Sequence, residues 1–338
     1  MIIDIFNHFM PKAYLDRLAA LIPGHVATTA FPRLKTLVDV DARLKLLDAY
    51  GDFAQVLSLA NPPLELVAGP DVTPDLARLA NDSLAEICRK HPDRFPAFIA
   101  ALPMNNVEAS LAEIDRAVTQ LGARGIQVFT NVAGVPLSDA KFRPLFRRMA
   151  EHDLPVWVHP MRGPDFADYA SEKTSQDEVW FSFGWPYETT ACMTRLIYSG
   201  LFDELPHIKI ISHHMGGMIP YFPGKINLGF RQIFFGTRNE NPVAKERGLK
   251  KPPLTYYKML YADTALGGED APTRCGHAFF GTPNCLFATD APFDSEQGRW
   301  LIADTIRAVK DLDIPQQERD RIFAGNARTL LKLQERQC

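Results

Sequence analysis

The chain has no apolar stretch that approaches the roughly 18 residues of a membrane-spanning helix, and it has no Lys/Arg run long enough to track a nucleic-acid backbone. Membrane insertion and nucleic-acid binding are therefore not expected. The sequence contains five cysteines (Cys88, Cys192, Cys275, Cys285 and Cys338), an odd number with no C-x-x-C spacing, which argues against a disulfide framework or a cysteine zinc cluster and for reduced thiols. Acidic and basic residues nearly balance, 40 against 37, leaving a formal charge of −3 and no field suited to a polyanionic partner. The first apolar run begins at Ile2 and leaves no room for a signal peptide, so a cytoplasmic protein acting on small molecules is expected.

What is present is alternation. Short apolar runs recur at 2–8, 53–59, 94–102, 125–129, 155–159, 208–212, 258–263 and 285–290, and most of the segments between them carry helical signals. Thr73-Pro74 opens one helical stretch, and Ser138 can cap another that runs through "SDAKFRPLFRRMAEH". Near-continuous apolar strands alternating with helices indicate a parallel sheet covered on its outer face. Eight such units predict a single α/β domain over 1–338, a closed (β/α)₈ TIM barrel, for which 338 residues is a common size and 46% hydrophobic residues an ample core. Two connections, 161–188 and 237–257, are longer than a barrel needs and are expected to shape a pocket at its mouth or a subunit contact.

The chemically capable residues sit at the ends of these runs. His8 ends the first, His159 the fifth, "SHHMGG" (212–217) follows the sixth, and Asp290 ends the eighth. Barrel enzymes assemble their sites at the C-terminal ends of the strands, so residues far apart in sequence converge there. Neutral imidazoles from two or three strands plus one carboxylate form a donor set for Zn²⁺ with positions left open for water or substrate. A lone histidine at a strand end is more often structural, and the convergence of four positions is what carries the reading. Phe6 is the irregularity: residues at i and i+2 of a strand share a face, so a two-donor strand would place histidines at 6 and 8.

Over most of its length the chain resembles the amidohydrolase superfamily, in the branch of aminocarboxymuconate-semialdehyde decarboxylase-like and γ-resorcylate decarboxylase-like proteins. The matching stretches are "GVPLSDAKFRPLFRRMAEHDLPVWVHP" (134–160), "YETTACMTRLIYSGLFDELPHIKIISHHMGGMIPYFPGKI" (187–226), "LFATDAPF" (286–293) and "IFAGNARTLLKL" (322–333). That family carries H-x-H on the first strand, a metal-binding His in an "HP" context on the fifth, a His before Gly-Gly on the sixth and an Asp in "TD-x-P" on the eighth. Carried over, these give His8, His159, His214 and Asp290, with His214 a better match than His213 because the Gly-Gly follows Met215. Phe6 stands in the first position of H-x-H and can donate nothing. The resemblance implies a divalent metal, Zn or Mn, on His8, His159 and Asp290. The superfamily also contains metal-independent lactonases, in which reading Phe6 fills the vacant volume and packs against an aromatic substrate.

The function implied is non-oxidative decarboxylation of an aromatic or unsaturated carboxylic acid, with Asp290 as proton donor and His214 hydrogen-bonding the substrate or shuttling the proton. Hydrolysis of a lactone or amide is the alternative, since the same residues could activate a carbonyl and a water; a binding protein without turnover is a third. Arg162 could clamp a substrate carboxylate or stand in a solvated loop. The aromatic cluster Trp180, Phe181, Phe183, Trp185 and Tyr187 could form a lid over a flat ligand or plug the barrel's outer groove. Lys225 falls where some members place a substrate-binding Arg, across a subunit interface in some of them, and a homodimer or homotetramer is expected. Asn326 matches a C-terminal signature of the family and is expected to be a structural helix-entry residue.

Overall fold

In the computed structural model, which describes residues 1–238 and 240–333, all eight apolar runs form strands. They are β1 (Ile2–Phe9), β2 (Phe53–Leu59), β3 (Ala97–Phe98) and β4 (Ala100–Ala101) from the third run, β5 (Ile126–Phe129), β6 (Val156–His159), β7 (Ile210–Ser212), β8 (Tyr261–Asp263) and β9 (Cys285–Leu286). The molecule is an α/β fold built on parallel sheet, with β1, β2 and β3 in one ladder and β4, β5, β6, β7, β8 and β9 neighbours in the other. The first and last strand regions are joined as well: Ile5 N–H donates to Phe287 O (3.0 Å), Asp290 N–H to Phe6 O (3.1 Å) and His8 N–H to Ala291 O (2.7 Å). Every residue of β2, β5 and β6 is buried, which is why these strands read as unbroken apolar runs rather than as alternating ones.

A β-bulge interrupts β1. Asp4 pairs with Gln55, but the next pair is Asn7 with Leu57, so one extra residue is taken up between them. A one-residue insertion exchanges the faces of everything beyond it. Ile3, Ile5 and Phe6 accordingly fall in one buried cluster with Val56, Trp157, Ile211 and Leu286, and His8, two residues beyond Phe6, sets its ring edge-on at 5.1 Å from the Phe6 ring. The same cluster takes in Ala324 and, from the last helix (Asn326–Leu331), Ala327, Leu330 and Leu331. Asn326 does hold the entry to that helix in place, donating from Nδ2 to the carbonyls of Thr282 (2.6 Å) and Cys285 (2.8 Å).

The helix Thr73–Lys90 begins at the expected Thr-Pro and complements its dipole with Asp75 in the first turn and Arg89 and Lys90 in the last. Ser138 is not a cap. Asp139 does that work one residue later, accepting from Lys141 N–H, and Ser138 Oγ instead meets Arg195 Nε at 3.2 Å. Cys88, Cys192, Cys275 and Cys285 are free, and Cys338 lies outside the described residues. No helix among the described residues is long and apolar enough to cross a membrane.

Candidate active site

His8, His159 and Asp290 come together at the C-terminal ends of their strands, with one donor atom from each lying within 4.8 Å of the others. His8 Nε2 is 2.9 Å from Asp290 Oδ1. His159 directs Nδ1 at the carbonyl of Pro160 (2.6 Å), so Nδ1 carries the proton and Nε2 keeps its lone pair free for the site. Burial, reinforced by the nearby His213, His8 and His214, holds His159 well below the usual imidazole range, so its ring is neutral. Asp290 faces the opposite balance: burial alone would raise its carboxyl, but His213, His214 and His8 around it outweigh that and hold it well below the usual carboxylate range. A neutral imidazole beside an ionised carboxylate is the protonation state a divalent cation requires of its ligands. The donor types, their protonation and their spacing therefore fit Zn²⁺ or Mn²⁺.

The sixth-strand histidines both reach this cluster. His214 Nε2 lies 3.5 Å from Asp290 Oδ2, and His213 Nε2 lies 3.5 Å from Asp290 Oδ1. Two residues in succession can do so because the strand ends at Ser212 and the backbone turns left-handed, with φ near 53° at His214 and 51° at Met215. Gly216 and Gly217 stay at positive φ, and a Cβ on Gly217 would meet the Pro186 carbonyl at 2.4 Å, so this Gly pair answers to a turn and a close backbone approach. Asp290 is also left-handed, at φ 63°. Positive φ in non-glycine residues is costly and is characteristic of functional sites.

Other candidates lie elsewhere than expected. Phe6 is fully buried, its ring 5.1 Å from His8, 5.9 Å from His159 and 4.3 Å from His213, so it forms a floor beneath the imidazoles and has no exposed face for a substrate. Arg162 is turned into the protein: Nη1 approaches Glu188 Oε1 at 3.4 Å, and the guanidinium lies over the Phe166 ring. It is therefore not a free clamp for a carboxylate. Trp185 does line the site, edge-on to His159 and stacked beside His214, with its indole N–H donated to Arg162 O at 3.0 Å. Phe181 packs on Trp185, whereas Phe183 and Tyr187 face solvent, so the aromatic cluster is divided between the two readings of it. Lys225 is exposed on the short helix Pro223–Leu228 and makes no side-chain hydrogen bond or ion pair with a site residue among the described residues.

An amidohydrolase family model matches residues 41–333. The chain belongs to the amidohydrolase family. Among its relatives, this amidohydrolase is 32% identical to the γ-resorcylate decarboxylase of Polaromonas sp. (strain JS666), with 98% of each chain covered. It is 28% identical to the 2-amino-3-carboxymuconate-6-semialdehyde decarboxylase of Dictyostelium discoideum, over 87% of this chain and 77% of that one. Among solved structures it is similar to the dihydroxybenzoic acid decarboxylase of Polaromonas sp. JS666 with bound manganese and the inhibitor 2-nitroresorcinol, at a TM-score of 0.78 and 28% identity, covering 98% of this chain and 97% of that one.

Behind the amidohydrolase site lies a buried polar network that sequence reasoning missed. Arg43, fully buried, donates to the carbonyls of His8 and Thr36, to Asn7 Oδ1 (3.2 Å) and to Gln55 Oε1 (2.8 Å). Gln55 passes the connection on to Asp4 Oδ2 (2.9 Å), which also accepts from Thr289 Oγ1 (2.7 Å), the neighbour of Asp290. The strands that carry His8 and Asp290 are thus pinned to one chain of hydrogen bonds. Asp263 was missed too: at the end of β8 it accepts from His213 Nδ1 (2.7 Å) and from His214 N–H (3.0 Å). Its position at the end of "KMLYAD" is the same signal that singles out Asp290.

Proposed function

We propose that this amidohydrolase is a metal-assisted, non-oxidative decarboxylase of a hydroxylated aromatic carboxylic acid, built on a closed eight-stranded barrel. The observation that carries the reading is the convergence of His8, His159 and Asp290 with donor atoms within 4.8 Å of one another. The decarboxylases among its relatives and the backbone bonds that join β1 to residues 287–291 support it. When bound, a divalent cation would supply Lewis acidity at the substrate's carboxylate or adjacent hydroxyl and fix the orientation of the ring.

The reaction breaks the C–COO⁻ bond, leaves its electron pair on the ring carbon and releases CO₂, so a proton must reach that carbon. In this reading Asp290 delivers it. The surrounding imidazoles favour its carboxylate form, so Asp290 carries no proton at rest and must take one up before passing it to the ring carbon. His214, more exposed than His213, relays a proton drawn from solvent to Asp290 across the 3.5 Å between Nε2 and Oδ2; burial lowers the pKa of its ring, so it passes the proton on rather than holding it. Trp185 supplies an aromatic wall against which a flat ring can lie, and Phe181 backs it.

A screen of hydroxybenzoates, muconates and pyrone carboxylates for CO₂ release against ring opening tests the reading. CO₂ release from a hydroxybenzoate is expected, and ring opening without it would assign hydrolysis instead. Dialysis against a chelator is expected to bring CO₂ release to background, and added Mn²⁺ to restore it. Replacing His214 with Asn, which tolerates its left-handed backbone, is expected to slow turnover by about 10²-fold, the lower end of an acid–base contribution, with little change in fold.

We also propose a homodimer or homotetramer. Tyr221, Leu228, Phe230, Ile233, Phe234 and Phe235 are all exposed within 221–235, a density of large apolar residues unusual on a monomer's surface. A second copy covering this run would bury the helix that carries Lys225. Sedimentation velocity is expected to show the oligomer for the wild type and a shift toward monomer for a Phe230→Glu, Phe235→Glu double variant.

A further inference from the structure

We propose that His213 is a metal-binding residue of this chain and supplies the nitrogen donor that Phe6 cannot. The inference rests on the metal-assisted reading above and concerns which side chains hold the cation. Three independent features of the ring point to it. Its Nδ1 is locked to Asp263 Oδ2 at 2.7 Å, with both groups almost wholly shielded from solvent. A carboxylate on one imidazole nitrogen fixes the tautomer and presents the other nitrogen as a donor, the arrangement that accompanies most metal-ligating histidines. That other nitrogen, Nε2, is buried and makes no well-formed hydrogen bond, with Asp290 Oδ1 3.5 Å away. Burying a polar nitrogen unpaired is costly unless something occupies the position it faces.

The third feature is place. His213 Nε2 faces Asp290 Oδ1 at 3.5 Å, the same oxygen that His8 Nε2 approaches at 2.9 Å. Its ring centroid is 4.3 Å from that of Phe6 and 5.2 Å from that of His159, so it fills the space beside Phe6 on the inner face of the site. Among the described residues, the two groups of side chains able to hold a metal, His8–His159–Asp290 and His213–His214–Asp290, share Asp290. One cation at Asp290 would take His8, His159 and His213 as nitrogen donors. The total, three imidazoles and one carboxylate, equals what a strand bearing histidines at both 6 and 8 would have provided, and β7 in place of β1 contributes the third ring.

The test uses the full chain loaded with Zn²⁺. Zinc affinity would be measured by competition with a chromogenic chelator, and the number of bound imidazoles by X-ray absorption at the zinc edge, for the wild type, His159→Gln, His213→Gln and the double variant Phe6→His, His213→Gln. Three imidazoles are expected in the wild type and two in His213→Gln, with an affinity loss of at least ~10-fold, the smallest effect seen on removing even an outer partner of a ligand. Gln at 213 can still donate to Asp263, and the double variant is expected to regain both affinity and the third imidazole. If the wild type binds zinc through two imidazoles, and His159→Gln loses the metal while His213→Gln keeps it unchanged, the inference is overturned and the metal-assisted reading survives. A wild type that binds neither Zn²⁺ nor Mn²⁺ overturns both.

Discussion

Asp290→Asn is expected to leave the fold intact and to lower kcat for CO₂ release by at least ~10²-fold, the lower end of what a positioned acid or base contributes. The backbone permits the substitution: Asp290 sits at φ 63°, a conformation that Asn tolerates nearly as well as Asp, and Asn keeps an oxygen to accept from His8 Nε2. What is lost is the exchangeable proton, along with the negative charge that His8, His213 and His214 surround. An alanine would remove more and explain less, because it would add backbone strain at the same position. Turnover at saturating substrate, with circular dichroism as the check on folding, is the measurement. A near-normal kcat on an authentic substrate would remove Asp290 from the role of proton donor.

The strands and most of the candidate site were legible because both follow from local rules. Apolar runs bounded by turn residues became β1 to β9, and histidines or aspartates at the ends of those runs met at the C-terminal ends of the strands. What could not be read depended on geometry with no local signature. The bulge in β1 arises from how Asp4 to Asn7 pair with β2, and "IDIFN" taken alone gives no sign of it. Distance from Gly-Gly favours His214 over His213, yet a left-handed turn brings both to Asp290. Arg162 follows His159 closely in sequence but is turned inward by Glu188, twenty-six residues on, a pairing that no spacing rule anticipates. Arg43 lies in the helix Val40–Asp48, where a charged residue ordinarily reads as solvated surface.

That arginine supports the second large effect. Replacing Arg43 with Met is expected to destabilise the protein by about 3–5 kcal/mol, the cost of removing one member of a buried charged network and leaving the rest unpaired. The groups left without this donor are the carbonyls of His8 and Thr36, Asn7 Oδ1 and Gln55 Oε1, while Asp4 keeps its hydrogen bond from Gln55 Nε2 but loses the nearby positive charge. Burial pushes Asp4 up to about 7 despite its hydrogen bonds from Thr289, Gln55 and Phe6, and the charge of Asp4 in turn supports the buried Arg43 guanidinium, which burial lowers to about 10. The sign of the pH dependence follows. With a folded pKa above the unfolded value of about 3.9, the folded state holds more protons between the two, so this group withdraws stability as pH rises from about 4 to 7. Without Arg43 the ionised form is harder to bury, and the deficit of Arg43→Met is expected to be larger at pH 8 than at pH 5. Adding Asp4→Asn removes the charge that Arg43 answers, so the double variant should be more stable than the sum of the single losses, by an amount on the order of 0.5–3 kcal/mol for directly coupled residues. Urea unfolding of the four proteins at both pH values measures all of these terms. Strict additivity at pH 8 would mean that Arg43 and Asp4 act separately, and that His8 and Asp290 are not held by one network.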